Sequence, residues 1–321
     1  MKRLYIAMYH YVRDLANSRY PAIKGLDYCL FKQQIEFFQQ NFHVITMEMA
    51  LEAMSGGDLP ENAMLLTFDD GYIDHYTFVL PVLMEHNMQG SFFIPGKTFT
   101  EDVLLDVNKI HFILASAQEN NLLMHLFRQM DYYRGNEYRY PANDVLFQKY
   151  ASASRFDTKE TVFIKRMLQT VLPESLRNKI AANLFQEFVK IDEKTFAREL
   201  YMNREQIGMM KKCGMFIGLH GYDHYWLGNL SENEMRQDIE KALDVMGEFI
   251  NKDSWVINYP YGSYNAETIE FIRSCGCRMG LTTDVRAADL DQDPPFEIPR
   301  LDTNDFPPKS IHYMRADYGI L

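Results

Sequence analysis

Runs of positive charge are missing from this sequence. Its 321 residues carry 33 Lys and Arg against 44 Asp and Glu, a formal net charge of −11, and no Lys/Arg-rich stretch interrupts that balance. An acidic chain is a poor electrostatic match for nucleic acid or for an anionic lipid surface, so neither is expected as a partner. A neutral or cationic substrate fits better. Long apolar runs are missing too, and nothing approaches the roughly 20 residues that cross a bilayer. The basic start Met1-Lys2-Arg3 resembles a secretion signal only superficially. The apolar stretch behind it is short, carries Tyr5 and Tyr9, is interrupted by His10 and Arg13-Asp14, and leads to no small-residue cleavage site. A cytoplasmic protein is expected, with residues 4–9 as a buried strand. Cysteine is sparse: Cys29, Cys213, Cys275 and Cys277. The Cys275-x-Cys277 pair has no second pair at zinc-finger spacing, so the four read as buried, reduced thiols. Internal repeats and low-complexity segments are absent.

What is present is an ordinary globular composition, 47% hydrophobic and 24% charged. The length suits one α/β barrel, or one domain with an insertion. The segment 31–42 (FKQQIEFFQQNF) has apolar residues at helical spacing. A short strand over 44–46 and a helix over 47–54 follow. The continuous apolar run 63–68 (AMLLTF) suits a strand buried on both faces of a parallel sheet, and it ends abruptly at Asp69-Asp70-Gly71. A helix over 76–87 and a strand over 90–94 come next. The alternation resumes late, with strands over 215–219, 255–258 and 279–282 and helices over 231–250 and 266–274. Ser231 with Glu234 three positions on is a capping box that fixes a helix start. Strand, helix, strand at this spacing means βαβ units. Between the two blocks, about 101–210, the chain is rich in helix formers and poor in strand candidates. It reads as a helical insertion in a barrel loop, serving either as a lid or substrate surface or as an oligomerisation surface.

Three clusters stand out at the ends of expected strands. Asp69-Asp70 puts two carboxylates side by side where burial is costly, so they require a cation or strong hydrogen-bond donors; a tight Asp-Gly turn with both side chains solvated is the plain alternative. His220-Gly-Tyr-Asp-His224 spaces two imidazoles to converge on one metal ion if the segment forms a helical turn, and imidazoles with one carboxylate suit zinc. Otherwise they are two polar loop histidines. Asn258-Tyr259-Pro260-Tyr261-Gly262 is a stiffened loop that could present a backbone N–H to an oxyanion, or an ordinary turn.

Together, in this order, the clusters resemble the polysaccharide deacetylase family, also called carbohydrate esterase family 4 or the NodB homology domain. Thr67-Phe68-Asp69-Asp70-Gly71 is similar to its first motif, His220 to His224 to its His-x-x-x-His motif, and Pro260-Tyr261 to the centre of its third. Tyr9-His10 resembles an opening seen in many members. The resemblance covers about 1–100 and 213–306 and leaves out the insertion. It implies an incomplete or distorted parallel (β/α) barrel, seven-stranded, as one domain over 1–321 interrupted at about 101–210. It implies that Asp69 is the general base for the attacking water, that Asp70, His220 and His224 hold one divalent metal ion, and that Tyr261 offers its backbone N–H to the tetrahedral intermediate. Zinc is the expected metal, with cobalt or nickel as alternatives.

The sequence departs from the family pattern in two places. The arginine that precedes Pro-Tyr and pairs with the base is replaced by Asn258 and Tyr259; Arg300 is the candidate to bring that charge from another strand. The late Leu-x-His motif that carries the general acid is not clear. His312, near the end of the chain, and His10, at the end of the first strand, are the rival acids, with a solvated or core histidine as the plain alternative for each. The expected function is removal of N-acetyl groups from a sugar, such as a precursor in surface glycan synthesis. The competing readings are a hydrolase of a non-sugar amide on the same fold, and a degenerate member that binds glycan without turnover.

Overall fold

A computed structural model describes residues 2–315. The chain folds as two compact units. One holds the chain to Asp14, Gly25–Val103 and the chain from Ala197 on; the other holds Leu15–Lys24 and Leu104–Phe196.

The first unit is built on seven parallel strands: β1 (Arg3–Tyr9), β2 (Ala63–Asp69), β3 (Ser91–Ile94), β4 (Phe216–Leu219), β5 (Trp255–Asn258), β6 (Cys277–Leu281) and β7 (Leu301–Asp302). Their order is β7-β1-β2-β3-β4-β5-β6. A parallel bridge from Leu281 to Ile298 links β6 to the run entering β7, so the sheet curls into a distorted barrel. Every residue of β2, β3 and β5 is buried, as expected for strands covered on both faces. Their side chains divide with period two. Leu4, Ile6, Leu65, Phe93, Val256, Met279 and Ile298 share an inner cluster, while Tyr5, Ala7, Met64, Leu66 and Phe68 pack outward with the flanking helices.

That period has a consequence at the C-terminal ends of the strands. Counting by twos along the inner face from Ile6, Leu65, Phe216, Val256 and Ile298 reaches His10, Asp69, His220, Asn258 and Arg300. Backbone register sets β1 beside β2 and β4 beside β5, pairing Tyr9 with Phe68, and Leu219 with Ile257. These five residues therefore gather at one mouth, the end of a parallel barrel that customarily holds its chemistry.

Helix starts follow their caps. Thr46 accepts from the backbone of Met49 ahead of the helix Met47–Met54, and Ser231 and Glu234 form the capping box of Glu232–Met246. The helix expected over 76–87 differs. A wide π-turn, His75–Val79, precedes Leu80–Glu85. Pro81 has no N–H to give to Thr77, and the N–H of Leu80 bonds instead to the carbonyl of His75. The helix Arg204–Lys212, placed by its composition with the insertion, belongs to the first unit because Ile207 and Met210 bury their side chains in the sheet's outer core.

The second unit is helical: Asp106–Ser116, Glu119–Tyr133, Asn143–Tyr150, Lys159–Arg166 and Glu174–Phe188. Tyr20 joins it edge-on to Phe112 and Phe196. No helix among the described residues is long and apolar enough to cross a membrane. All four cysteines are free, but the expected burial holds only for Cys277; Cys29 is exposed and Cys213 and Cys275 are half-buried.

Candidate active site

The chain turns sharply after β2. Asp70 has φ 77° and Gly71 φ 69°. A Cβ on Gly71 would lie 2.8 Å from the side chain of Ile94, so the turn needs glycine on both counts. Asp69 and Asp70 are both buried. The second strand end is reached differently from expectation. Residues 220–224 form no helical turn; left-handed backbone at Gly221 (φ 67°) and His224 (φ 58°) folds the loop back so that both imidazoles face Asp70. Asp238, from the following helix, stitches this loop, its two carboxylate oxygens accepting from the N–H groups of Tyr222 and Asp223 at 2.9 Å each.

His220 Nε2 and His224 Nε2 lie 3.3 and 3.2 Å from Oδ1 of Asp70, and the three ligand atoms are within 4.8 Å of one another. Two atoms each about 2.1 Å from a tetrahedral zinc are about 3.4 Å apart, so the spacing fits a shared ion. The donor chemistry agrees. The Nδ1–H of His220 donates to the carbonyl of Asn258 at 2.6 Å, which leaves Nε2 a lone pair in the neutral ring. Asp70 Oδ1 is buried without a hydrogen-bond partner. The His220 lone pair aimed at a buried carboxylate oxygen is repelled unless a cation lies between them. Burial alone would raise the Asp70 pKa, and only positive charge at the His220 and His224 positions, the rings' own or that of an ion between them, brings the carboxyl well below the usual range.

Asp69 faces a different partner. Arg300, itself buried, donates from Nη1 to Asp69 at 3.0 Å and to Thr67 Oγ1 at 3.2 Å. Its Nη2 donates to Asn258 Oδ1 at 2.8 Å and its Nε to the carbonyl of Thr282 at 2.9 Å. The charge absent ahead of Pro260 thus arrives on the run entering β7, and Asn258 is one of its acceptors. Burial raises the Asp69 pKa; Arg300, His10 and His220 more than offset this, leaving it below the ordinary value. On its open side Asp69 meets His10, with Nε2 3.7 Å from Oδ2 and the imidazole 41% exposed.

Tyr261 lies in left-handed backbone (φ 59°, ψ 10°) behind the buried Pro260. Its ring stacks on Trp226 (centroids 4.3 Å, planes 6° apart) and meets His224 edge-on at 4.7 Å. His312 is not brought to this cluster. Its Nδ1 lies 3.6 Å from Asp305, and its neighbour Tyr313 packs on Tyr5, Phe37 and Phe42. Tyr5 sits four residues before Tyr9 on β1, about 13 Å down the strand from the mouth.

A sequence profile of the family described as polysaccharide deacetylase matches residues 56–124 and 153–280, more than half of the chain. The chain belongs to the polysaccharide deacetylase family. YxkH of Bacillus subtilis (strain 168), assigned to the polysaccharide deacetylases, is 28% identical over 99 residues, which are 31% of this chain and 36% of that protein. The match therefore spans about a third of the curated relative. Two solved structures share the fold across nearly the whole length of both chains. The Streptococcus pyogenes deacetylase PplD in complex with acetate superposes with a TM-score of 0.58 at 17% identity, covering 98% of this chain and 96% of its own. IcaB from Ammonifex degensii gives 0.57 at 18%, covering 98% of each.

Within this site, sequence reasoning missed Asp238 and His75. Asp238 left a signal: it interrupts the buried stripe Met235, Ile239, Ala242, Met246 of its helix with a charge. His75 left none, because its neighbours depend on the π-turn.

Proposed function

We propose that the chain is a metal-dependent hydrolase that removes N-acetyl groups from a sugar, acting on a precursor in surface glycan synthesis. The observation that carries this reading is the convergence of Asp70, His220 and His224 beside an Asp69 clamped by Arg300. Asp70, His220 and His224 would hold one divalent ion, zinc by the two-imidazole, one-carboxylate donor set. When bound, the ion polarises the acetyl carbonyl and acidifies water.

The rest falls to the chain's own side chains. Asp69, kept ionised by Arg300, accepts the proton of the attacking water. Arg300 holds that carboxylate with a guanidinium that three further acceptors, Thr67, Asn258 and the Thr282 carbonyl, keep in place. Tyr261, in its left-handed turn, offers a backbone N–H to the oxygen on which negative charge develops. The departing amine needs a proton. His10, half-exposed beside Asp69, delivers it; His312 is packed elsewhere. The products are acetate and a free amine, and acetate is the molecule bound to the PplD deacetylase.

Acetate release from N-acetylglucosamine oligomers and nucleotide- or lipid-linked precursors, with zinc or cobalt loaded, is the test. Release that requires the ion and vanishes in Asp69→Asn is expected. A metal-loaded protein that releases no acetate from any acetylated sugar would overturn the reading.

A further inference from the structure

The imidazole of His75 is fully buried beneath the site, and its nearest polar partner is neither Asp69 nor a residue of the metal cluster. Its Nε2 lies 2.9 Å from the backbone carbonyl of His10. A carbonyl only accepts, so His75 carries its proton on Nε2 and presents a bare Nδ1. That Nδ1 is buried without a partner. The ring packs among Phe68, Tyr72 and Phe92, with centroids 5.6 to 5.7 Å away. A phenylalanine would fill this space without an orphaned polar atom. Burying one costs stability, so the bond it secures on the other side of the ring requires a reason.

That bond is one of several contacts that tie residues 10–13 to residues 72–75, among them a backbone hydrogen bond from Val12 to Asp74. Tyr11 stacks on Tyr72 at 4.0 Å, and Arg13 Nε donates to Asp74 at 2.7 Å. Of these contacts, the one from His75 holds the His10 carbonyl itself. Among the described residues the His10 imidazole has no close side-chain bond to fix it, since Asp69 is 3.7 Å away. Its placement is therefore set by its backbone. The π-turn His75–Val79, widened ahead of Pro81, starts at His75, so the irregular turn and the anchor coincide.

We infer that His75 is a positioning residue for His10, fixing the proton donor against the leaving group by holding its backbone carbonyl. This rests on the assignment of His10 as the acid. The two ideas separate by substrate. An N-acetyl sugar leaves as an amine and needs the proton; 4-nitrophenyl acetate leaves as a stable anion and does not.

The experiment compares both substrates in the zinc-loaded wild type, His10→Ala, His75→Phe and His75→Gln. Gln places an amide N–H near the position of Nε2. A loss in His10→Ala confined to the amide is expected; equal losses on both substrates, or none, would overturn the acid assignment and the inference with it. With that loss in hand, His75→Phe should lower kcat on the amide by about 10- to 100-fold at nearly unchanged KM and leave the ester within about twofold. His75→Gln should recover amide turnover to within about threefold of wild type. Wild-type amide turnover in His75→Phe, equal losses on amide and ester, or a folded His75→Gln no better than Phe would each refute the positioning role while leaving His10 as the acid. Should Phe fail to fold, His75→Met serves as the apolar variant with the same expected outcomes.

Discussion

Arg300 and Asp69 meet at 3.0 Å with both groups buried, and the guanidinium also donates to Thr67, Asn258 and the Thr282 carbonyl. Removing the cation leaves a buried carboxylate and two side-chain acceptors unpaired. Arg300→Met should destabilise the fold by about 3–5 kcal/mol, read by urea unfolding. Arg300→Lys keeps the charge but not the planar fork. It should fold and still lose about 10- to 100-fold in kcat, because the carboxylate is no longer oriented. Wild-type kcat in Arg300→Lys would mean that charge alone suffices.

The two rival acids predict opposite mutant behaviour. His10→Ala should reduce deacetylation by about 100-fold or more, the usual range for losing a general acid. His312→Ala should stay within about twofold, since His312 lies beside Asp305 and its neighbour Tyr313 packs on Tyr5 and Phe42 in the outer core. Steady-state kinetics on one acetylated sugar settles this, and a reversed pattern would move the acid to the C-terminal segment.

Legibility followed from how local each feature is. Asp69, Asp70, His220 and His224 each sit close to the end of an apolar strand, so their gathering at one mouth follows from strand order and a period of two. Arg300 was legible as a missing charge, because a buried carboxylate without its neighbouring arginine must find another cation. The path of residues 220–224 was not: spacing alone suits a helical turn, whereas Gly221 and His224 take left-handed backbone that Asp238 stabilises from a distant helix. Nor did position near the chain end reveal that His312 pairs with Asp305 while its neighbour Tyr313 packs into the outer core. The edge of the helical insertion was blurred for a similar reason, since Arg204–Lys212 is helical like its neighbours and only packing assigns it to the sheet.

Asp238 spends both carboxylate oxygens on backbone rather than on Asp70, His220 or His224, yet it should govern metal affinity. Asp238→Ala orphans two backbone N–H groups, at about 1–3 kcal/mol each, and frees the loop that carries both imidazoles. Zinc affinity should fall by about 10- to 100-fold, and Asp238→Asn, which keeps one acceptor, should fall less. Titration of the metal-free protein with zinc measures it. Equal affinity in wild type and Asp238→Ala would show that the loop holds its shape unaided.

Acid should weaken the fold in two separate windows. Burial pushes the pKa of His75 down to about 4 from its ordinary 6.5. Below 6.5 the unfolded chain takes up a proton there that the folded chain refuses, so stability falls as pH drops from about 6.5 to 4, by about 3 kcal/mol in all at 1.36 kcal/mol per unit. Asp69 acts lower. Its pKa is depressed in the fold, so its contribution is present above the ordinary carboxylate value of about 3.9 and is lost as pH falls further, through its own lower value. Urea unfolding of the metal-free protein at pH 7 and pH 5 isolates the first window. Wild type should lose more stability across that interval than His75→Phe, which has nothing to protonate there, while Asp69→Asn should track wild type. If His75→Phe and wild type lose the same amount, the acid sensitivity in this window belongs to other groups and His75 is already charged in the fold.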